Sequence, residues 1–272
     1  MRSGRTNIVM SWAGAIGLVL VLGSNAVAQS APSAPPPAAL TQQLEDLRTA
    51  FAEEVPKATA LPPERQSELI AKGKAMLADN AVLLDRPQLI IVVDRAPTAQ
   101  DLALVLAQPQ GNWQIVGTTK VSTGQRGRFD YYITPTGVFL HTDAILGYRA
   151  EGTYNENGIR GLGVKGMRVW DFGWQNAVKG WRNDGERGDI RLLMHATDPA
   201  VLEQRIGRPA SQGCVRIPSA LNKFLDRHGV LDADYERAAI TDARYRGLLR
   251  PDRTPSPIAG NALVVVDSQD AL

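Results

Sequence analysis

Cysteine is all but missing from this chain: Cys214 is a single thiol in 272 residues. One thiol excludes an internal disulfide and any zinc site built on paired cysteines. Histidine is nearly as scarce, with His141, His195 and His228 the full set. None of the three stands at the His-x3–5-His spacing of zinc ligands. No metal and no cofactor are therefore expected. Long apolar runs are lacking too. The longest mostly apolar stretch, Ile8 to Leu22, falls short of the roughly 20 residues needed to cross a bilayer. There is no internal repeat, no second nucleotide or phosphate motif, and no Gly-x-Ser-x-Gly elbow to activate a serine.

Charge of one sign is also absent, with 30 basic against 28 acidic residues. Residues 1–28 read as a secretory signal peptide: Arg2 and Arg5 precede the apolar run, and Ala26-Val27-Ala28 supplies the small-residue cleavage pattern. Removing those two arginines leaves 28 residues of each sign. A balanced mature chain argues against nucleic acid as a partner, because that affinity rests on clustered positive charge. The expected location is the periplasm or cell envelope, with no integral membrane span once the signal is cleaved.

After the signal, residues 29–39 form a Pro/Ala linker with no means of packing. Residues 40–87 follow as a helical N-terminal segment. Leu40, Leu44, Leu47, Phe51 and Val55 repeat every three or four residues and predict a helix over Thr41 to Val55. A second helix is predicted over Pro62 to Ala81, pairing with the first as a hairpin. From Gln88 the texture turns to short β-rich runs: Leu89 to Asp94, Asp101 to Gln108, Trp113 to Val121 and Thr136 to Thr142. Helices are predicted from a Ser219 cap to His228 and over Ala233 to Leu249, then a last strand over Asn261 to Asp267 that closes the sheet. His141 at a strand end and His228 in a last helical turn read as structural.

The chemistry concentrates between His195 and Arg216. A thiol is a good nucleophile as thiolate and titrates near ~8.5 when free, so it needs a base or cation beside it. An imidazole titrating near ~6.5 is the natural partner. Gly213 lets backbone approach a substrate closely, and consecutive amides beside the thiol could face a developing oxyanion. Burial as a small hydrophobe is the plain alternative for Cys214. A free thiol in an oxidising compartment nevertheless asks for a reason.

This arrangement resembles the motif of the L,D-transpeptidases (YkuD-like). There a histidine precedes, by about fifteen residues, Ser/Thr-His-Gly-Cys, an apolar residue and Asn or Arg. Here His195 and Ser211 enclose Ala196 to Ala210, and Ser211, Gly213, Cys214, Val215 and Arg216 all fit. Gln212 stands where most members carry histidine. Val121-Ser122-Thr123-Gly124 followed by Thr134-Pro135-Thr136-Gly137 is similar to a second family pattern, so the likeness spans roughly 88–227.

The resemblance implies a mostly β, sandwich- or barrel-like catalytic domain over 88–272, with the N-terminal helical segment and short C-terminal helices around it. It implies Cys214 as nucleophile and His195 as general base and acid, acting on peptidoglycan stem peptides. Gly213, Ser211, Gln212 and Arg216 would line the oxyanion and substrate site. Arg216 could hold a substrate carboxylate or fix the loop. The family places a lid between Glu151 and Asp189, where Trp170, Trp174 and Trp181 fall; these rings suit either a substrate groove or a core. Hydrolysis of the same acyl-enzyme and a catalytically inactive wall-binding module are the alternatives to cross-linking.

Overall fold

The structure is a computed structural model that describes residues 36–269. The signal peptide and most of the linker lie outside the described residues. Two helices open the chain: α1 (Pro37–Glu54) and α2 (Pro63–Asp79). Each begins on prolines, whose fixed φ and missing N–H cost nothing in a first turn. α1 takes in Pro37 to Ala39, which the sequence assigns to the linker. Strands β1 (Gln88–Asp94), β2 (Asp101–Ala107), β3 (Gln114–Lys120), β4 (Gly137–Leu140), β5 (Tyr148–Arg149), β6 (Arg168–Val178), β7 (Arg187–Ala196) and β8 (Val215–Ile217) follow. Helices α3 (Ser219–Arg227), α4 (Ala233–Ala238) and α5 (Ala243–Leu248) precede the last strand, β9 (Ala262–Val266).

The strands make two mixed sheets, β3-β2-β1-β9-β4 and β5-β6-β7-β8. The two face each other across one core. Leu89, Ile91 and Val93 of β1 meet Trp170, Phe172, Leu192 and Met194 of the second sheet there. Alternate residues of the first sheet, such as Ile90, Val92 and Val264, point the other way onto Leu69 and Leu77 of α2. α1 fills the opposite side with Leu44, Leu47, Phe51 and Val55. Two-sided burial explains why β1 and β2 read as near-continuous apolar runs.

That packing corrects the expectation of a mostly β fold. Helix and strand contribute about equally, and no barrel closes among the described residues. α1 and α2 do not pair as a hairpin; their apolar stripes cover opposite faces of the first sheet. β9 does not close an edge either. It lies between β1, in parallel, and β4, antiparallel. The helix predicted over Ala233 to Leu249 is two short ones, α5 starting afresh where the Asp242 side chain accepts from the Arg244 amide. Ser219 is not the cap of α3: Pro218 is, and the Ser219 hydroxyl donates to Glu203 at 2.8 Å.

The interval from Glu151 to Asp189 is also not one loop. Residues 151–166 are irregular, whereas Arg168–Val178 is β6, the longest strand. Trp170 is fully buried in the core, Trp174 is 67% exposed on the outer face, and Trp181 meets Tyr132 edge to face with ring centroids 5.1 Å apart. One tryptophan thus serves the core and two lie outside it. His141 is buried with Nδ1 on the Leu231 carbonyl at 3.0 Å, and burial holds its pKa down to about 3. His228 caps α3 and meets Glu54 at 2.9 Å.

Candidate active site

The site lies on the outer face of the second sheet. β7 alternates strictly: Ile190, Leu192 and Met194 point into the molecule, and Arg191, Leu193 and His195 point out. β8 runs parallel to β7 with Met194 opposite Val215 and His195 opposite Arg216. Val215 and Ile217 are core residues, so Arg216 and the preceding Cys214 share the outer face with His195. The register therefore sets Cys214 beside Leu193, between His195 on one side and Arg191 on the other.

Bonds within the loop 211–214 and from two other strips of chain, 122–124 and 132–134, hold it in place. The Ser211 hydroxyl donates to the Cys214 carbonyl at 2.6 Å and accepts from the Gly213 amide at 3.1 Å. The Thr134 hydroxyl donates to the Gly213 carbonyl at 2.7 Å and accepts from the Gly124 amide at 2.9 Å. Gly124 is needed because a Cβ there would sit 2.0 Å from the Tyr132 carbonyl oxygen. Gly213 is needed twice over: its φ is +127°, and a Cβ would come within 2.7 Å of Ile190. Ser122-Thr123-Gly124 and Thr134, the residues of the second sequence pattern, thus brace the loop that carries Cys214.

Thr134 is fully buried, and both its bonds go to backbone. Thr134→Val keeps the shape and strands one buried amide and one carbonyl. We expect a stability loss of about 2 kcal/mol, because an orphaned buried polar group costs about 1–3 kcal/mol. Denaturant unfolding of the variant checks this, and an unchanged midpoint would mean the brace does not hold the loop.

Cys214 and His195 both rest in their uncharged forms. His195 is buried, and its Nδ1 lies 2.5 Å from the Ala196 carbonyl. A carbonyl accepts and never donates, so Nδ1 carries the proton and Nε2 keeps the lone pair a base requires. Burial, helped by the Arg216 charge, holds the imidazole pKa down to about 4 against the raising effect of that carbonyl. Burial pushes the Cys214 thiol up, with the Asp171 carboxylate adding to it; the Leu193 amide and Arg216 pull the other way. The half-buried thiol donates a weak hydrogen bond to the Arg191 carbonyl at 3.8 Å. It makes none to His195 among the described residues.

The remaining predicted residues divide. Ser211 is buried and fixes the loop. The Gly213 amide is taken by Ser211, whereas no hydrogen bond claims the amides of Gln212 and Cys214 among the described residues. The Gln212 side chain is exposed, and its carbonyl accepts from the Tyr132 amide at 3.3 Å. Arg216 donates from Nη1 to the Ala210 carbonyl at 2.9 Å and has a buried Nε without a partner. Its first duty is to the loop.

Sequence reasoning missed Tyr148, Asp171 and Arg191. Asp171 lies opposite Leu193 on β6 and binds Arg191 Nε through both oxygens, at 2.9 and 3.0 Å. Burial raises the Tyr148 phenol, with Asp171 and Cys214 adding to it and Arg191 opposing. The two-residue period of Arg191, Leu193 and His195 was the signal that could have found the arginine. Beyond Tyr148 opens a cavity of about 630 Å³ walled by Arg149, Glu151, Tyr154, Ile159 and Leu162. Leu162 of this wall and the nearby Val164 pack with Leu193 and Ala196, which flank His195 on β7. Among the described residues no group of three or more His, Cys, Asp or Glu is placed to hold a metal, and no helix is long and apolar enough to cross a membrane.

No family model and no curated protein matches this chain. Among solved structures it is similar to a fused Zn-dependent amidase/peptidase/peptidoglycan-binding domain-containing protein from Clostridium acetobutylicum, at 15% identity and a TM-score of 0.29. The match covers 77% of this chain and 64% of that one. A likeness at that level carries no argument about fold or activity.

Proposed function

We propose that this protein is an exported L,D-transpeptidase that joins peptidoglycan stem peptides through a Cys214 acyl-enzyme. In this reading residues 1–28 are a leader, 29–39 a linker, 40–87 a helical segment and 88–272 the catalytic domain. The observation that carries it is the placing of Cys214 and His195 on the same outward side of the paired strands β7 and β8, with the imidazole held as the Nδ1–H tautomer. Burial as a mere hydrophobe would have turned Cys214 inward with Val215.

The chemistry follows from these groups. Neutral His195 takes the thiol proton at Nε2 as sulfur attacks the carbonyl of the third stem residue, meso-diaminopimelate. The amides of Gln212 and Cys214 face the oxyanion. The C–N bond breaks, His195 returns the proton to the departing amine of D-Ala, and a thioester remains. The side-chain amine of a second stem then attacks, gives its proton to His195, and expels the thiolate. One amide is lost and one is made, so no ATP is required.

Purified muropeptides and product masses test the reading. A cross-linked dimer supports it; a shortened monomer alone would mean an L,D-carboxypeptidase, and intact substrate a wall-binding module. A pH profile tests the site itself. With the imidazole near 4, the base stays unprotonated to a lower pH than a free histidine would, so the acid limb of kcat/KM should fall near pH 4. That limb belongs to the Cys214–His195 pair rather than to one residue. A limb between pH 6 and 7 would show an imidazole in contact with water.

A further inference from the structure

Arg191 stands on this face with only part of its donor set engaged. Its Nε is spent on Asp171, a carboxylate only 5% exposed, through two hydrogen bonds. Neither Nη1 nor Nη2 has a hydrogen-bond partner among the described residues. The guanidinium carbon lies 5.8 Å over the ring of Trp174, which opposes it across the β6–β7 pair. A buried anion at one edge and an aromatic face thus fix the plane of the fork, and its outer edge is left open. The side chain is 40% exposed, so that edge meets solvent and is accessible to a ligand.

The place of this fork matters as much as its geometry. Arg191 is two residues from Leu193 on the same face of β7, about 7 Å along the strand. Cys214 stands beside Leu193, and its Sγ is 3.8 Å from the Arg191 carbonyl. Tyr148 adds a phenol within electrostatic reach of both Arg191 and Cys214. A planar guanidinium with two parallel N–H donors matches a carboxylate bidentately. Arg216, the alternative, is committed to the Ala210 carbonyl and the loop.

We propose that Arg191, posed by Asp171 and Trp174, is a substrate-binding residue that grips a carboxylate of the donor stem as Cys214 attacks. This rests on the transpeptidase reading for the identity of the donor. Two carboxylates of that donor lie close to the scissile bond. One belongs to the departing D-Ala, two bonds beyond the scissile nitrogen, and the other ends the side chain of diaminopimelate. Both offer the same chemistry to the fork.

The test compares donors amidated at one or the other carboxylate with the free acid. Wild-type protein should lose about 10- to 100-fold in kcat/KM on the donor lacking the gripped carboxylate. The variant Asp171→Asn/Arg191→Met removes both charges at once, which leaves no buried anion behind. It should turn over acid and amide donors alike, at the rate wild type shows on the amide. Arg191→Lys keeps the charge without the fork and should retain part of the preference. A wild type indifferent to both amidations, or a double variant that still prefers the acid, overturns the inference.

A chemical probe separates this outcome from failure of the transpeptidase reading. Alkylation of Cys214, in which the thiolate displaces iodide, can be timed with iodoacetate and with iodoacetamide. Wild type should favour the carboxylate reagent about tenfold more than a free thiol does, and the double variant should return to the free-thiol ratio. Equal ratios in the two proteins would sink Arg191 as a carboxylate site whatever the muropeptides show.

Discussion

Cys214→Ser should lower turnover by at least about 10³-fold while moving the unfolding free energy by no more than about 0.5 kcal/mol. Both halves follow from the site. A serine hydroxyl is far less acidic than a thiol, and the buried neutral imidazole, with its pKa held near 4, is too weak a base to activate one. The hydroxyl is also the smaller group, so it fits the half-buried position without strain. The loop is held by Ser211, Thr134 and the two glycines, none of which depends on sulfur. A carbapenem gives the same answer without turnover. Its strained lactam carbonyl should acylate the wild-type thiol and add one drug mass to the intact protein, with no adduct in Cys214→Ser. Activity retained with a large loss of stability would make Cys214 a packing residue and end the enzymatic reading.

Much of this site was legible because alternation in a strand and spacing in a loop are local. His195 ends the apolar run Ile190 to Met194, and β7 is the strand that carries that run. Gly213 announced a close backbone approach, and the structure shows what crowds it. The first two helices and the first four strands were visible for the same reason, since each carries its own periodic stripe. What the sequence hid is what depends on partners far along the chain. The stripes of α1 and α2 look alike, and nothing local says that they cover opposite faces of one sheet. β6 was masked by its glycine and tryptophans. Its register with β7 shifts between Asp171 and Trp174, and that irregularity breaks the two-residue period that marks a strand. Asp171 and Arg191 are 20 residues apart, and neither residue taken alone suggests the other.

The buried pair Arg168–Asp232 was hidden in the same way, and it supports the largest expected loss of stability. Arg168 begins β6 and is fully buried. Its Nη2 donates to Asp232 Oδ1 at 2.9 Å, and its guanidinium lies 5.0 Å over the Tyr235 ring. Nε and Nη1 have no partner, and neither does Asp232 Oδ2 or His141 Nε2 close by. The pair is therefore a half-satisfied island of charge, in which attraction between the two ions is the main compensation for lost water. Asp232→Ala should cost about 3–5 kcal/mol, because it leaves the guanidinium buried and alone. For a chain of this size that is a fall in Tm of roughly 6 to 20 °C. The carboxyl itself is pushed above its ordinary pKa by burial, with Arg168 opposing. Asp232→Asn should consequently be milder than Ala, since the amide oxygen still accepts from Nη2. Arg168→Met/Asp232→Leu is the decisive variant. Removing both charges and filling the space should restore most of the stability lost in Asp232→Ala, as buried ion pairs often contribute little over apolar residues of like volume. Thermal melts of the four proteins measure the set. A double variant as unstable as Asp232→Ala would show that Arg168 holds β6 through its stem and ring contacts rather than through its charge.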